Sequence, residues 1–216
     1  MLERYRKDYL GEFVILNTSW KDGKKVQTRE WIDNPIKNQH ISSRAAIIGP
    51  GSSRERFDVR VLEKHKGGLL GRLALQTYAA EHTVDEITPN FLVVFDSELL
   101  TNLIENKYTE SNVVYTSTKN CLAFPGQFYM VPYNIRVDPL ATAIYLAAFD
   151  NHREVFLLGL DGLSSKTEHA VEDVIQAYRG VQFYLVNDTE NYNKTWKKFS
   201  NLRTIGYRDF ISHCDI

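Results

Sequence analysis

Cysteine is nearly missing: the 216 residues hold two, Cys121 and Cys214, far apart in the chain. With no C-x-x-C pair and no metal-ligand spacing, they read as two unpaired thiols of a reducing compartment. Histidine is sparse as well, and none of the six makes an H-x-x-x-H or H-E-x-x-H pattern, so a structural zinc is not expected. No apolar run approaches the roughly 18 residues that span a bilayer. The opening MLERYRKDYLGEF is charged throughout and lacks the apolar core of a secretory signal, so the expected location is the cytoplasm. An excess of one charge sign is missing too. Lys and Arg number 26 against 27 Asp and Glu, a net charge of −1. No global field draws in nucleic acid or anionic lipid, and such binding would need a local patch. Internal repeats and low-complexity tracts are also absent.

What is present is an ordinary globular composition, 43% apolar and 25% charged, in a length that suits one generous domain. Residues 1–43 read differently from the rest. EFVILNTSW and VQTREWI are strand-like around KDGKK, with Asp22-Gly23 at the centre of a hairpin turn. NPIKNQHISS, with Pro35, reads as a loop. From Arg44 onward strands alternate with helices. RAAIIG, LALQTY, NFLVVFD, NVVYTS, QFYMVPY, EVFLLGLDG and QFYLVN read as strands. SSRERFDVRVLEKHK reads as a helix capped by Ser52 or Ser53, and SELLTNLIEN as one capped by Ser97. DPLATAIYLAAFDNH has Asp138 as cap and Pro139 at the first helical position. TEHAVEDVIQAYRG stops near Gly180, and TENYNKTWKKFSN is a last amphipathic helix. Short apolar strands separated by helices predict a doubly wound, mainly parallel, Rossmann-like α/β domain over residues 44–216, with the hairpin and loop of residues 1–43 added at an edge.

Such sheets bind ligands outside the carboxyl ends of their strands. That rule selects Gly49, Pro50, Gly51, Ser52 and Ser53, then Asp96 and Ser97, then Thr116, Ser117 and Thr118, and the Gly-Leu-Asp-Gly of residues 159–162. In GPGSSR the third position of G-x-G-x-x-G is Arg54, so the standard dinucleotide turn is excluded, and no G-x-x-x-x-G-K-[ST] exists. Two readings of the turn stay open: backbone amides and serines that cradle a phosphate, with Arg54 and Arg56 adding charge, or a plain strand-to-helix turn. Asp96 and Asp161 each end an apolar strand, where carboxylates hold ribose hydroxyls, bind Mg²⁺ or act as a base. Their bland reading is a helix start and a turn. His169, near a helix start after the Asp161 loop, is the histidine placed for proton transfer. His40, His65, His82, His152 and His213 read as surface or capping residues. Phe128, Tyr129 and Tyr133 belong to an aromatic stripe that packs a core or stacks on a base.

Three pieces in order carry a family resemblance. GPGSS resembles the glycine turn of the bacterial motility-accessory-factor and 6-hydroxymethylpterin pyrophosphokinase-like Rossmann family, whose relatives include the small bacterial sialyltransferases. TPNFLVVFDS is similar to that group's segment of an acid, an apolar strand and an aspartate, with Asn90 in place of the first acid. FLLGLDG followed by TEHA resembles its strand, G-x-D and histidine. The resemblance implies a nucleotide or nucleotide-sugar donor, with or without Mg²⁺, and transfer of a glycosyl or phosphoryl group. It implies phosphate on Gly49, Gly51 and Ser52, ribose or metal on Asp96 and Asp161, and acid–base work by Asp161 and His169. A looser resemblance, in REWIDNPI and QHISSRAAIIG, is to uncharacterised proteins of T-even-like marine phages. It implies a second class of function: a non-catalytic virion or host-interaction protein, a homo-oligomer or a partner in a virion.

Overall fold

The computed structural model describes residues 2–6, 12–33, 43–63, 75–131, 138–187 and 194–216. The loop read at residues 34–43 lies almost wholly outside them. So do His40, His65, Tyr133 and the glycines Gly67, Gly68 and Gly71. The strands are β1 (Leu2–Arg6), β2 (Glu12–Lys21), β3 (Lys24–Asp33), β4 (Arg44–Ile48), β5 (Gln76–Ala80) and β6 (Phe91–Val93), followed by β7 (Val113–Thr116), β8 (Tyr129–Met130), β9 (Glu154–Leu158), β10 (Gln182–Val186) and β11 (Leu202–Ile205). The α-helices are α1 (Ser97–Glu105), α2 (Tyr108–Ser111), α3 (Thr118–Ala123), α4 (Pro139–Phe149), α5 (Ser165–Ala177) and α6 (Tyr207–Cys214).

The protein is α/β, Rossmann-like and mainly parallel, with an antiparallel hairpin. It divides into two compact units, Met1–Gln39 with Val94–Arg136, and His40–Val93 with Val137–Ile216. Sequence reading drew the boundary at residue 43. The structure also groups residues 94–136, inserted between β6 and α4, with the N-terminal strands.

In the larger unit six strands pair in parallel in the order β6-β5-β4-β9-β10-β11. Counted from β4 this is the 3-2-1-4-5-6 order of the doubly wound fold, and the order reverses between β4 and β9. Both faces are covered, which explains the near-continuous apolar strands. Tyr78, Ile47 and Leu157 are in register on one face and fully buried. Here lies α4, whose Leu140 to Ala148 are all buried, as its apolar sequence on every side demands. Ala46 and Phe156 share the other face, where Phe156 packs on Phe210 of α6 and on Tyr184 of β10. Asp138 caps α4 through the Ala141 amide at 2.9 Å, and Asn201 donates to the carbonyls of Ile175, Tyr178 and Val181 at the end of α5.

The sequence reading does not foresee β1, α2 and α3, and two segments that it does read depart from it. Residues 52–63 are not one α-helix but two short 3₁₀ turns, Ser52–Arg56 and Val59–Leu62, separated by extended Phe57. Phe57 leaves the helical path to stack on Tyr207 at 5.4 Å and meet Phe210 edge-on, and Asp58 then caps the second turn through the Arg60 amide. Of the last amphipathic helix, read over residues 189–201, residues 189–193 lie outside the described residues and Lys194–Lys198 form a 3₁₀ turn; β11 and α6 follow it unforeseen.

His152 is a further correction. It is buried rather than at the surface, 3.0 Å from the Tyr78 hydroxyl, which also lies 2.5 Å from Asp150. The phenol has one proton, which goes to the carboxylate, so His152 Nε2 is the donor to it. Both cysteines are buried thiols, and burial pushes the Cys214 thiol up to about 12.

In the smaller unit β7, β8 and β1 are parallel, and β1, β2 and β3 are antiparallel. Asp22 and Gly23 join β2 to β3 with φ of 52° and 73°, the left-handed pair that a two-residue hairpin requires.

Asn90, where the resembling family prefers an acid, is 4% exposed and clamps β5 to the segment before β6. Its side-chain oxygen accepts from the Thr77 amide at 2.9 Å and from the Thr77 hydroxyl, which in turn accepts from the Asn90 amide. Asn90→Ala leaves the buried Thr77 amide without its acceptor. It is expected to lower stability by about 2 kcal/mol, read as a fall in the urea midpoint. An unchanged midpoint would contradict the clamp.

Candidate functional site

The reversal point between β4 and β9 is closed by the chain itself. The Gly49 amide donates to the Leu158 carbonyl and the Gly51 amide to the Gly159 carbonyl, both at 2.8 Å. The Ser53 amide donates to both oxygens of Asp161, at 3.0 and 3.1 Å. The hydroxyls of Ser52 and Ser53 donate to the same carboxylate. From the other side the Tyr207 hydroxyl donates to the Ser53 carbonyl at 2.8 Å. The amides of Gly49, Gly51 and Ser53 are therefore taken up by Leu158, Gly159 and Asp161, and an internal carboxylate occupies the anion position. The glycines permit this approach: a Cβ on Gly51 would stand 2.7 Å from the carbonyl oxygens of Asp161 and Gly159 and against the Asp161 carboxylate. Gly159 supplies the answering bend at φ +67°.

Asp161 is thus an architectural acid. Burial pushes its pKa up, but the hydrogen bonds from Ser53 and Ser52 outweigh it and hold the carboxyl below its ordinary value. A group so stabilised as an anion is a poor general base, and with both oxygens accepting it does not fit a Mg²⁺ ligand. Among the described residues no cluster of three or more His, Cys, Asp or Glu side chains is placed to hold a metal ion.

The other expected residues fall elsewhere. His169 is exposed in the second turn of α5, its Nδ1 donating to the Ser165 carbonyl at 2.5 Å, and it lines neither cavity described below. Asp96, not Ser97, caps α1, accepting from the Leu99 amide at 2.8 Å. Ser97 is the first residue of that helix, where its carbonyl accepts from Thr101. Thr116 is buried at the end of β7 and accepts from Asn120, and Ser117 caps α3. These four belong to the smaller unit and serve its helix starts.

The open space lies beside the closed turn. A cavity of about 450 Å³ is walled by Pro50 and Arg54 after β4, Ala80, Glu81 and Thr83 after β5, Leu163 and Ser164 after β9, and Asp138 before α4. A second, of about 820 Å³, runs along Arg54, Arg56, Phe57, Asp85 and Glu86. Arg54 and Glu86 wall both and form an ion pair, with Arg54 Nη2 donating to Glu86 Oε1 at 2.6 Å. This hydrogen bond holds the Glu86 carboxyl below its ordinary value and raises Arg54. Asp138 Oδ2 accepts from Thr167 at 2.7 Å, so it is held as well. Glu81 sits at the end of β5 in the left-handed region, φ 52°, a costly place for a side chain other than glycine. It is the acid after the second strand of the Rossmann order, where dinucleotide folds carry the ribose-binding carboxylate. Sequence reading passed over it, although an acid directly after LALQTYAA is a readable signal. Arg54 was read only as neighbouring charge.

No family model, curated protein or solved structure matches the chain.

The Asp161 contacts give a pH prediction. A carboxyl depressed by folding contributes stability above its unfolded pKa of about 3.9 and loses that contribution as pH falls through the lower folded value. Asp161→Asn is expected to destabilise by about 1.5–3 kcal/mol near neutrality. The gap in melting temperature from the parent should close as pH falls below about 4. A gap of constant size across the acid range would contradict the assignment.

Proposed function

We propose that the protein is a nucleotide- or nucleotide-sugar-dependent transferase, for glycosyl or phosphoryl groups, whose donor occupies the 450 Å³ cavity rather than the turn at residues 49–53. One observation carries this reading: the cavity opens at the carboxyl ends of β4, β5 and β9, beside the reversal of strand order, where doubly wound sheets bind ligands. Its volume is in the range of small-ligand sites, about 300–1,000 Å³. The lining suits a hydroxyl-rich group: Glu81 is a carboxylate acceptor, and Thr83, Ser164 and Thr167 offer hydroxyls. In this reading Glu81 receives the ribose or sugar hydroxyls, and Asp161 keeps the loops in place. The resemblance to the motility-accessory-factor group supports the donor class.

The test is ligand-dependent stabilisation. Cytidine, uridine and adenosine nucleotides and their sugar conjugates are screened by thermal unfolding, and at least one should raise the melting temperature by several degrees at millimolar concentration. Leu163→Trp, which fills the cavity, should abolish that rise. A complete screen without stabilisation would sink the reading.

A second reading is favoured by the closure of the turn on Asp161. On this view the protein is a non-catalytic assembly or binding protein, of a virion or of a host-interaction complex, built on the same fold. It expects a stable oligomer, and light scattering after size exclusion checks it. A monomer that also binds nucleotide would count against it.

A further inference from the structure

We infer that Arg54 is the receptor for a phosphate group of the ligand, and that Glu86 stands in for that phosphate until the ligand displaces it. The inference rests on the cavity reading above and names the part of the ligand that reading leaves unplaced. Three observations carry it. Arg54 is the cation common to both cavities, so a ligand in either meets it. Its guanidinium is incompletely used. Nη1 and Nη2 bind Glu86, but Nε is buried with no hydrogen-bond partner among the described residues. A planar carboxylate on the Nη1–Nη2 edge cannot reach Nε, whereas a phosphate on the Nε–Nη edge satisfies it and keeps a bidentate contact.

The third observation is an asymmetry of anchoring. The Arg54 side chain is 11% exposed and that of Glu86 is 50% exposed. The Arg54 stem lies against Gly159, where a Cβ would meet its Cδ at 2.8 Å. Glu86 follows a 3₁₀ turn, Glu81–Asp85, and its carboxylate can rotate into water at little cost. The cation therefore stays and its counter-ion can leave. When Glu86 leaves, the wall it makes with Arg54 opens and the two cavities become continuous. A nucleoside at Glu81 would then have its phosphate at Arg54 and room beyond for the group to be transferred.

This differs from the anion position at Asp161. There the internal carboxylate is held by two hydroxyls and an amide of the neighbouring turn.

Isothermal titration tests the inference with inorganic phosphate and with matched pairs, cytidine against cytidine monophosphate and adenosine against adenosine monophosphate. In the parent protein the monophosphate should bind about tenfold tighter than its nucleoside. Glu86→Gln removes the competing anion and should tighten inorganic phosphate by about tenfold. Arg54→Gln should erase the preference for monophosphate, and Arg54→Lys, which keeps the charge without the fork, should restore only part of it. If Arg54→Gln fails to fold, Glu86→Gln and Arg54→Lys decide alone. Phosphate affinity that is unchanged or weaker in folded Glu86→Gln overturns the inference. Nucleosides that bind as tightly as their monophosphates overturn it and leave the cavity reading intact. Inorganic phosphate that binds and tightens in Glu86→Gln, with no nucleoside or nucleotide bound, upholds the inference and sinks that reading.

Discussion

The larger unit depends on one contact, the Asp161 carboxylate held by Ser52 and Ser53. In a doubly wound sheet the first and fourth strands diverge at their carboxyl ends, and most members of the architecture leave a crevice there. Here an aspartate from one loop fills the amide cradle of the other. The consequences spread outward. Gly49 and Gly51 must lack side chains for the loops to meet, and Gly159 must take a left-handed bend. Because the turn is bound on both sides, by Asp161 and by Tyr207, the Arg54 that follows leaves it in a fixed direction. The open cavities, and the cation that lines both of them, lie beside that contact.

That arrangement divides the acids of the strand ends by duty. Asp161 and Asp138 have their oxygens taken by hydroxyls and amides and hold backbone in place. Glu86 is held by a single cation and is half exposed. Glu81 is fixed through its backbone conformation. Carboxylates at neighbouring strand ends thus differ in what holds them.

Much of this fold was legible in the sequence because apolar periodicity and caps are local. The Asp22-Gly23 hairpin, Asp138-Pro139 at the start of α4, and the strands RAAIIG, EVFLLGLDG and QFYLVN all carry their own signals, and the structure has them. The segment after the turn was misread as an α-helix because its pattern is helical, and only a distant pair, Tyr207 and Phe210, draws Phe57 out of it. For the candidate site, the rule of strand ends selects two loops that the structure brings into contact with each other. GPGSS and GLDG were both singled out, but sequence does not say that one binds the other. The Arg54–Glu86 pair is relational, each side chain mattering through a partner 32 residues away that no spacing rule joins to it, whereas Glu81 carries a local signal, an acid directly after an apolar strand.

The insertion of residues 94–136 between β6 and α4 has a consequence for how the protein is made. β4 pairs with β5 on one edge and β9 on the other, and β9 begins at Glu154. A ribosome that has delivered β4, β5 and β6 must synthesise residues 94–136, which belong to the smaller unit, before β9 arrives. Through that interval the edge of RAAII that pairs with β9 in the folded protein has no partner strand. Folding speed is set by such non-local pairings. The nascent chain therefore passes through a stage at which a central strand of the sheet presents an open edge.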